Sequence, residues 1–334
     1  MNRVTASGSG RLLQCSGHLR LPWLRETSTA AQEGTDLHAV METKRYQEHP
    51  RSLAAWDAWK AWQAETGFSA PVMRNELAMA LNLEARTARE LSGVGHRDYS
   101  AAMPHEVPGT ADMVCELVKR HPTSPDQVWC VVDWKFGQEP VEADSAQMRT
   151  LAAMVALMHD APSVIAVIVQ APPDGTAWVR SHEFSRDDLM AHVDMMAESM
   201  NEVREGAMLL QRGSECRYCP AAHACPSQLA AMSAIVAPGG PGPITPERAG
   251  QIWAEVKQAK KRLDAIEDAC KAMAEQEGGL LLPGGKRLVL ATRSRSSVDA
   301  KQLEAIARGH GASDEEIDAC RKTTTYTTTQ EVKG

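Results

Sequence analysis

Apolar and polar positions repeat with two different periods along this chain. Residues 36 to 49 and 51 to 64 carry apolar side chains three and four apart, which predicts two helices. Around residues 75 to 81 apolar and polar side chains alternate, the period of a half-buried strand. Residues 108 to 118 and 128 to 135 read as two further strands, and the HPTSPD between them is turn chemistry. Residues 147 to 158 form a helix that is apolar nearly all round and therefore buried. Residues 164 to 170 are a buried strand closed by APPDG, and residues 178 to 184 are another. Ser185 with Asp188 makes a capping box for a methionine-rich helix running to about residue 210. Strands interleaved with helices in this order predict an α/β core, a central mixed sheet flanked by helices.

A Gly/Pro linker at residues 236 to 245 separates this region, residues 1 to 235, from a mostly helical one, residues 246 to 334. The second region begins with a charged helix over 246 to 276. A short strand pair around 279 to 293, two short helices and a Thr-rich tail follow.

Composition narrows the class. The 334 residues are 43% hydrophobic and 24% charged, ordinary for a globular chain able to bury a core. No run approaches the ~18 to 20 apolar residues of a membrane helix, and the first residues lack the apolar core of a signal peptide. A cytoplasmic protein with no membrane partner is expected. The net charge of −7 argues against a basic coat for nucleic acid. DNA contact would have to be local, through arginines such as Arg3, Arg11, Arg20 and Arg25. The eight cysteines point to metal rather than to a disulfide framework in that compartment.

The most informative stretches are VPGTADMV, 107 to 114, and VWCVVDWKFG, 128 to 137. Asp133 and Lys135 sit two apart on one strand and so project together, and pairing with the preceding strand can bring Asp112 beside them. Phosphodiester hydrolysis needs such a set. A hard cation polarises the phosphoryl oxygen and acidifies a water, and two carboxylates suffice to anchor magnesium, which keeps several waters of its own. A lysine can orient or deprotonate the attacking water, or neutralise developing charge. The backbone carbonyl of Trp134 is a further candidate ligand. Asp-x-Lys is common on exposed strand edges; here it ends a buried strand. His38 and Glu42, four apart in EGTDLHAVME, share a helix face, and Gln147 opens an otherwise apolar helix.

The order Gly-Thr-x-x-His-x-x-x-Glu, Gly-x-x-Asp, Asp-x-Lys and then Gln resembles the RecB-type branch of the PD-(D/E)XK nucleases. The resemblance implies a restriction-endonuclease-like core and Mg²⁺- or Mn²⁺-dependent cleavage of DNA. It assigns metal binding to His38, Asp112 and Asp133, catalysis to Lys135, and the following helix position to Gln147. Glu76, in the early strand, is a further acidic candidate. The family often has a tyrosine four residues after the glutamine, where this chain has Leu151.

CRYCPAAHAC spaces Cys216, Cys219 and Cys225 as thiolates that converge on one metal, one ligand short of four; Cys15 is the candidate fourth. Cys115, Cys130, Cys270 and Cys320 are scattered and read as ordinary free cysteines. The array resembles the iron–sulfur variants of the RecB-type family, such as AddB and the CRISPR-adaptation nucleases. There a [4Fe-4S] cluster staples the N-terminus to the far side of the nuclease domain; structural Zn²⁺ is the alternative occupant. The whole arrangement also looks like a phage and prophage family with this core. That implies a role in phage recombination or DNA processing in a bacterial host, beside a recombination or single-strand annealing protein. The expectation is a metal-dependent deoxyribonuclease, an exonuclease by resemblance. The alternative is a non-catalytic DNA-binding or assembly module that keeps the fold and the cluster.

Overall fold

A computed structural model describes residues 2–23, 29–91, 98–119, 126–173, 175–236, 242, 244–283, 285–290 and 300–319. The predicted 121–126 turn (its last residue apart), most of the 237–243 linker, Arg25, Cys320 and the Thr-rich tail lie outside them. The chain divides into two compact units, Met1–Ala272 and Met273–Gly334.

The first unit opens with a 3-10 turn, Ala6–Gly8, and a short helix α1 (Ser9–Gln14), neither of which the apolar pattern signals. Then come α2 (Thr29–Glu42), α3 (Pro50–Thr66), β1 (Phe68–Asn82), β2 (Thr87–Glu90), β3 (Glu106–Lys119) and β4 (Asp126–Lys135). After them come α4 (Ala146–His159), β5 (Ser163–Gln170), β6 (Trp178–Ser185), α5 (Arg186–Arg204), α6 (Pro226–Val236) and α7 (Pro246–Gln276). The strands form one sheet in the order β2-β1-β3-β4-β5-β6. Only β4 and β5 run parallel, joined by the crossover helix α4; the other pairs are antiparallel. This is the expected mixed α/β sheet flanked by helices. The second unit carries a two-stranded hairpin, β7 (Leu280–Leu281) and β8 (Arg287–Leu288), then α8 (Ala300–Gly309) and α9 (Asp314–Ala319). Among the described residues no helix is long and apolar enough to cross a membrane.

Each face of the large sheet has its own core. One joins α1, α4 and α5 to the sheet through Leu12, Leu151, Met154, Val193 and Phe184. The other joins α2 and α3 through Leu37, Met41 and Trp59 to Val132, Trp134 and Val167. β5 is buried along almost its whole length because both cores claim it, which is why its sequence is continuously apolar.

Several boundaries differ from those expected, each for a local reason. The helix expected over 36 to 49 starts at Thr29 and ends at Glu42, because Lys44 turns into the left-handed region (φ 58°). The His49 side chain then accepts from the Arg51 N–H, and Pro50 opens α3. α5 stops at Arg204, ahead of a left-handed Gly206 (φ 101°), rather than near residue 210. Its capping box, Ser185 with Asp188, is as expected. β1 is twice as long as its alternating segment because that alternation fails halfway. Met73 packs with the α3 core and Leu77, Met79 and Leu81 with the α4 core, although all four are odd-numbered. The reversal falls at Glu76, whose φ of 49° is left-handed. β3 changes layer at the matching point, between Ala111 and Met113.

Gly109 of β3 is required by close approach. A Cβ there would lie 2.6 Å from the Ala6 Cβ and 3.0 Å from a Leu151 methyl, so the glycine lets the N-terminal turn and α4 sit against the strand.

A buried histidine links α4 to α5. His192 is 1% exposed, with Nε2 2.9 Å from the Thr150 Oγ1. That hydroxyl gives its proton to the Ala146 carbonyl (2.8 Å), so the ring N–H donates to it. Burial, and then the charge of Arg149, lower the pKa of His192 from 6.5 to about 4. Between those values the unfolded chain binds the proton and the folded one does not, so stability rises with pH across that window. Stability conferred by neutral His192 should be fully present above pH 6.5 and should fall by about 3 kcal/mol as pH drops toward 4. Urea unfolding at pH 7 and pH 5 checks this: a His192→Gln variant should be weaker at pH 7 yet lose less between the two.

Candidate metal and catalytic site

Register places three acidic residues in one row. β1 and β3 pair Asn75 with Met113 and Leu77 with Ala111, so Glu76 stands opposite Asp112. β3 and β4 pair Met113 with Val132, and one step further puts Asp133 opposite Asp112. The row lies where β1 and β3 change layer, so helices on both faces reach it. α2 supplies His38 from one side, its Nδ1 3.3 Å from Asp112 Oδ1. α4 supplies Gln147 from the other, donating through Nε2 to Asp133 Oδ1 at 3.1 Å. Lys135 Nζ lies 2.5 Å from Asp133 Oδ2. The Trp134 N–H donates to Asp112 Oδ2 at 2.7 Å.

One ligand atom each from His38, Glu76 and Asp112 lies within 4.8 Å of the others, the only such group of metal-ligating side chains among the described residues. The set is mainly oxygen with one imidazole, a donor chemistry that suits magnesium or manganese. Asp133, expected as a metal ligand, lies outside that group on the neighbouring strand, its carboxylate held by Lys135 and Gln147. The Trp134 N–H points toward β3, and the N–H and C=O of one strand residue project to the same side, so its carbonyl faces the row as well. Glu42 shares the His38 helix; Asn75 donates to its backbone carbonyl at 3.2 Å, which ties the end of α2 to β1 beside Glu76.

Asp112 and Asp133 are 4% and 2% exposed. Burial alone would raise the Asp112 pKa, but the charges of His38 and Lys135 and the hydrogen bonds from His38 and Trp134 hold it below the usual carboxylate value. Burial raises that of Asp133; Lys135 opposes this and the Asp112 charge adds to it. The two carboxylates are thus pushed apart in acidity.

Supporting residues carry no motif that sequence could reveal. Arg51 of α3 donates from Nε to the Ala171 carbonyl (3.1 Å) and from Nη2 to the Phe136 carbonyl, just beyond the ends of β5 and β4. Its Nη1 meets Glu33 of α2 at 2.6 Å. One buried arginine therefore tethers the histidine helix to the lysine strand. Phe136 meets the His38 ring edge-on, centroids 5.5 Å apart, and fixes its plane. Leu151, at the position where the resembled family has tyrosine, is buried against Gly109 and offers nothing to a ligand.

Cys15, Cys216, Cys219 and Cys225 line one cavity with Arg11, His18 and Glu215. The segments are fastened together: the Gly17 N–H donates to the Leu209 carbonyl at 2.9 Å, and the Glu215 N–H to the Gln14 side chain at 3.3 Å. No three of these sulfurs come within 4.8 Å of one another. Cys115 and Cys130 face each other across β3 and β4 in the core, as expected for ordinary buried cysteines, and Cys270 is exposed. Of the N-terminal arginines suggested for DNA, Arg3 donates to the Tyr99 and Ala102 carbonyls and Arg20 to Val203. Arg11 lines the cysteine cavity. These three have structural surroundings that the sequence could not disclose.

Fold and site together define an α/β protein with a buried carboxylate, histidine and lysine centre at the middle of its sheet. The chain belongs to a family described as a protein of unknown function (DUF2800), which matches residues 2–334. No curated protein matches it. Among solved structures it is similar to SSO0001, at 14% identity and TM-score 0.32, over 68% of this chain and 87% of that one. It is also similar to LHK-Exo in complex with dAMP, at 15% identity and TM-score 0.30, over 61% of this chain and 90% of that one.

The left-handed backbone at Glu76 costs about 1 kcal/mol relative to glycine. Glu76→Gly should raise the thermal midpoint of the metal-free protein while weakening Mn²⁺ binding in calorimetry. A variant that melts lower than its parent would instead mark Glu76 as a structural residue.

Proposed function

We propose that this protein is a Mg²⁺- or Mn²⁺-dependent deoxyribonuclease. The observation that carries the reading is the meeting of His38, Glu76 and Asp112 within 4.8 Å beside the paired Asp133 and Lys135. A divalent cation bound there would polarise the phosphoryl oxygen and acidify the attacking water. Asp112, Asp133, His38 and Glu76 would hold it, with the Trp134 carbonyl completing the set. Lys135 Nζ orients the water or neutralises charge on the phosphoryl oxygens. Gln147 holds the Asp133 carboxylate in one orientation. Exonucleolytic action, and work in phage recombination beside an annealing protein in the bacterial cytoplasm, are what the sequence resemblance adds.

The same reading assigns the cysteine cavity a metal centre held by Cys15, Cys216, Cys219 and Cys225. Its support is that four thiols from distant parts of the chain surround one cavity. A single tetrahedral zinc draws its sulfurs to about 4 Å from one another. A cubane stands between its thiolates and spaces them more widely than zinc does, and the sequence resemblance is what favours [4Fe-4S] over Zn²⁺.

Asp133→Ala and Lys135→Ala should each lower Mg²⁺-dependent digestion of linear DNA by on the order of 100-fold or more. Asp133→Ala should do so without lowering the melting temperature, whereas Lys135→Ala, which leaves Asp133 buried without its cation, should stay folded but melt lower. Parental rates in either would overturn the site; inactivity of the parent with retained DNA binding would favour a non-catalytic module. Closed circular DNA should resist if digestion needs an end. His38→Ala should lose less, and manganese should partly restore it, because water replaces one imidazole at a hard cation.

Anaerobically purified protein should be brown with about four irons per chain, and Cys15→Ser should lose metal as fully as Cys219→Ser. One zinc in a colourless protein would keep the centre and discard the cluster; a Cys15→Ser variant with full metal would remove that residue from it.

A further inference from the structure

Arg262 of α7 is 2% exposed, although it lies on an otherwise charged helix. It donates from Nη1 to the Cys225 carbonyl (3.1 Å) and from Nη2 to the His223 carbonyl (2.6 Å), both in the loop that presents the cysteines. Its Nε is buried with no hydrogen-bond partner, and so is that of Arg11, which lines the cysteine cavity. Among the described residues neither arginine has a carboxylate partner. One guanidinium thus lines the cavity, the other grips the backbone of the loop that presents Cys225, and the four cysteines would be neutral as thiols.

Buried cations without an anion are strongly unfavourable. Four thiolates around a zinc ion or an oxidised four-iron core keep a net charge of about −2. The loaded centre therefore supplies what both arginines lack, and the unloaded one does not. α1 brings Arg11 to the cavity, and α7 brings Arg262 to the loop that carries Cys225. α7 has a second, weaker hold in this unit, where Arg212 meets Gln258 at 3.1 Å and Glu255 at 3.9 Å.

We propose that Arg262 is a counter-ion of the cysteine-bound metal centre, so that loading the centre locks the N-terminal half of α7 onto the nuclease-like unit and losing it releases that helix. This rests on the reading that the cavity holds metal. Linkage makes the coupling reciprocal: whatever the centre contributes to docking α7, the docked arginine returns as metal retention.

The test uses the full-length protein with its metal as purified. Amide exchange over residues 250 to 264 is measured in loaded and chelator-stripped samples, alongside the rate of metal loss to the chelator. Arg262→Leu should lose metal about tenfold faster than the parent, the usual effect of removing a partner just outside the ligand shell. Its 250–264 segment should exchange in the loaded state as the parent's does when stripped. Arg262→Lys, which keeps the charge, should retain metal to within about twofold. Gln258→Ala, which weakens docking without touching the charge, should speed exchange and, by the same reciprocity, speed metal loss by no more than the factor by which it loosens docking. Parental metal loss in Arg262→Leu, or equal protection of 250–264 in loaded and stripped parent, would overturn the coupling. A parent that binds neither iron nor zinc even after reconstitution would overturn the cavity reading itself, which is a different failure.

Discussion

Two carboxylates lie side by side in the interior, Asp112 and Asp133, and the architecture around them answers the cost of keeping charge there. Isolated charges cannot be buried cheaply, so each oxygen needs a donor or a cation. The fold supplies these from three elements: Lys135 and the Trp134 N–H from β4, Gln147 from α4 and His38 from α2. None of the three can shift without exposing a carboxylate or orphaning it. The layer change in β1 and β3 belongs to the same solution, since it opens the sheet to helices on both faces at one row. Glu76 holds that change in a conformation that L-residues with a Cβ resist. A strained acidic residue facing a second carboxylate is a poor choice for stability alone, and a sensible one where a cation is to be held.

The second constraint is closure of the chain on itself. The N-terminal turn enters the core through the gap at Gly109, and the segment around Cys15 is fastened to the 209–215 loop by the Gly17–Leu209 backbone hydrogen bond and by the Gln14 side chain, which accepts from the Glu215 N–H. Closing so long a loop is entropically costly, and the metal centre proposed at the junction would offset that cost. On the proposed reading the carboxylate site and the cysteine cavity would have separate duties. One would carry the chemistry. The other would keep the ends of the domain in register, including α1, which packs beside α4.

The sheet and most helices were legible because their apolar periods are unbroken. β4, β5, β6, α4 and the capping box of α5 fall within a residue or two of expectation. β1 was half legible, since the rule of alternation fails at Glu76, and only a three-dimensional reason explains the failure. The short N-terminal elements left no period at all. For the site, Asp112, Asp133 and Lys135 could be placed together from strand parity, and Gln147 and His38 by resemblance. Arg51 could not be found that way: its partners are backbone carbonyls at strand ends far away in sequence, and no residue type marks a carbonyl. Arg3 and Arg20 show the converse. Their charge suggested DNA, while their hydrogen bonds go to backbone carbonyls.

Charge balance at the row also sets the order in which ligands can arrive. Glu76, Asp112 and Asp133 bring up to three negative charges against one on Lys135 and at most one on His38. The chain as a whole carries −7. An anionic phosphodiester approaching the bare site meets a repulsive field in a region of low dielectric, where such repulsion is strong. A divalent cation held there, as proposed, would cancel the excess negative charge, lower the raised pKa of Asp133 by favouring its ionised form, and offer the phosphate a cation to settle on. On the proposed reading the cation would therefore precede the nucleic acid. An acidic chain could then act on DNA without the basic coat that a protein gripping the backbone directly would need.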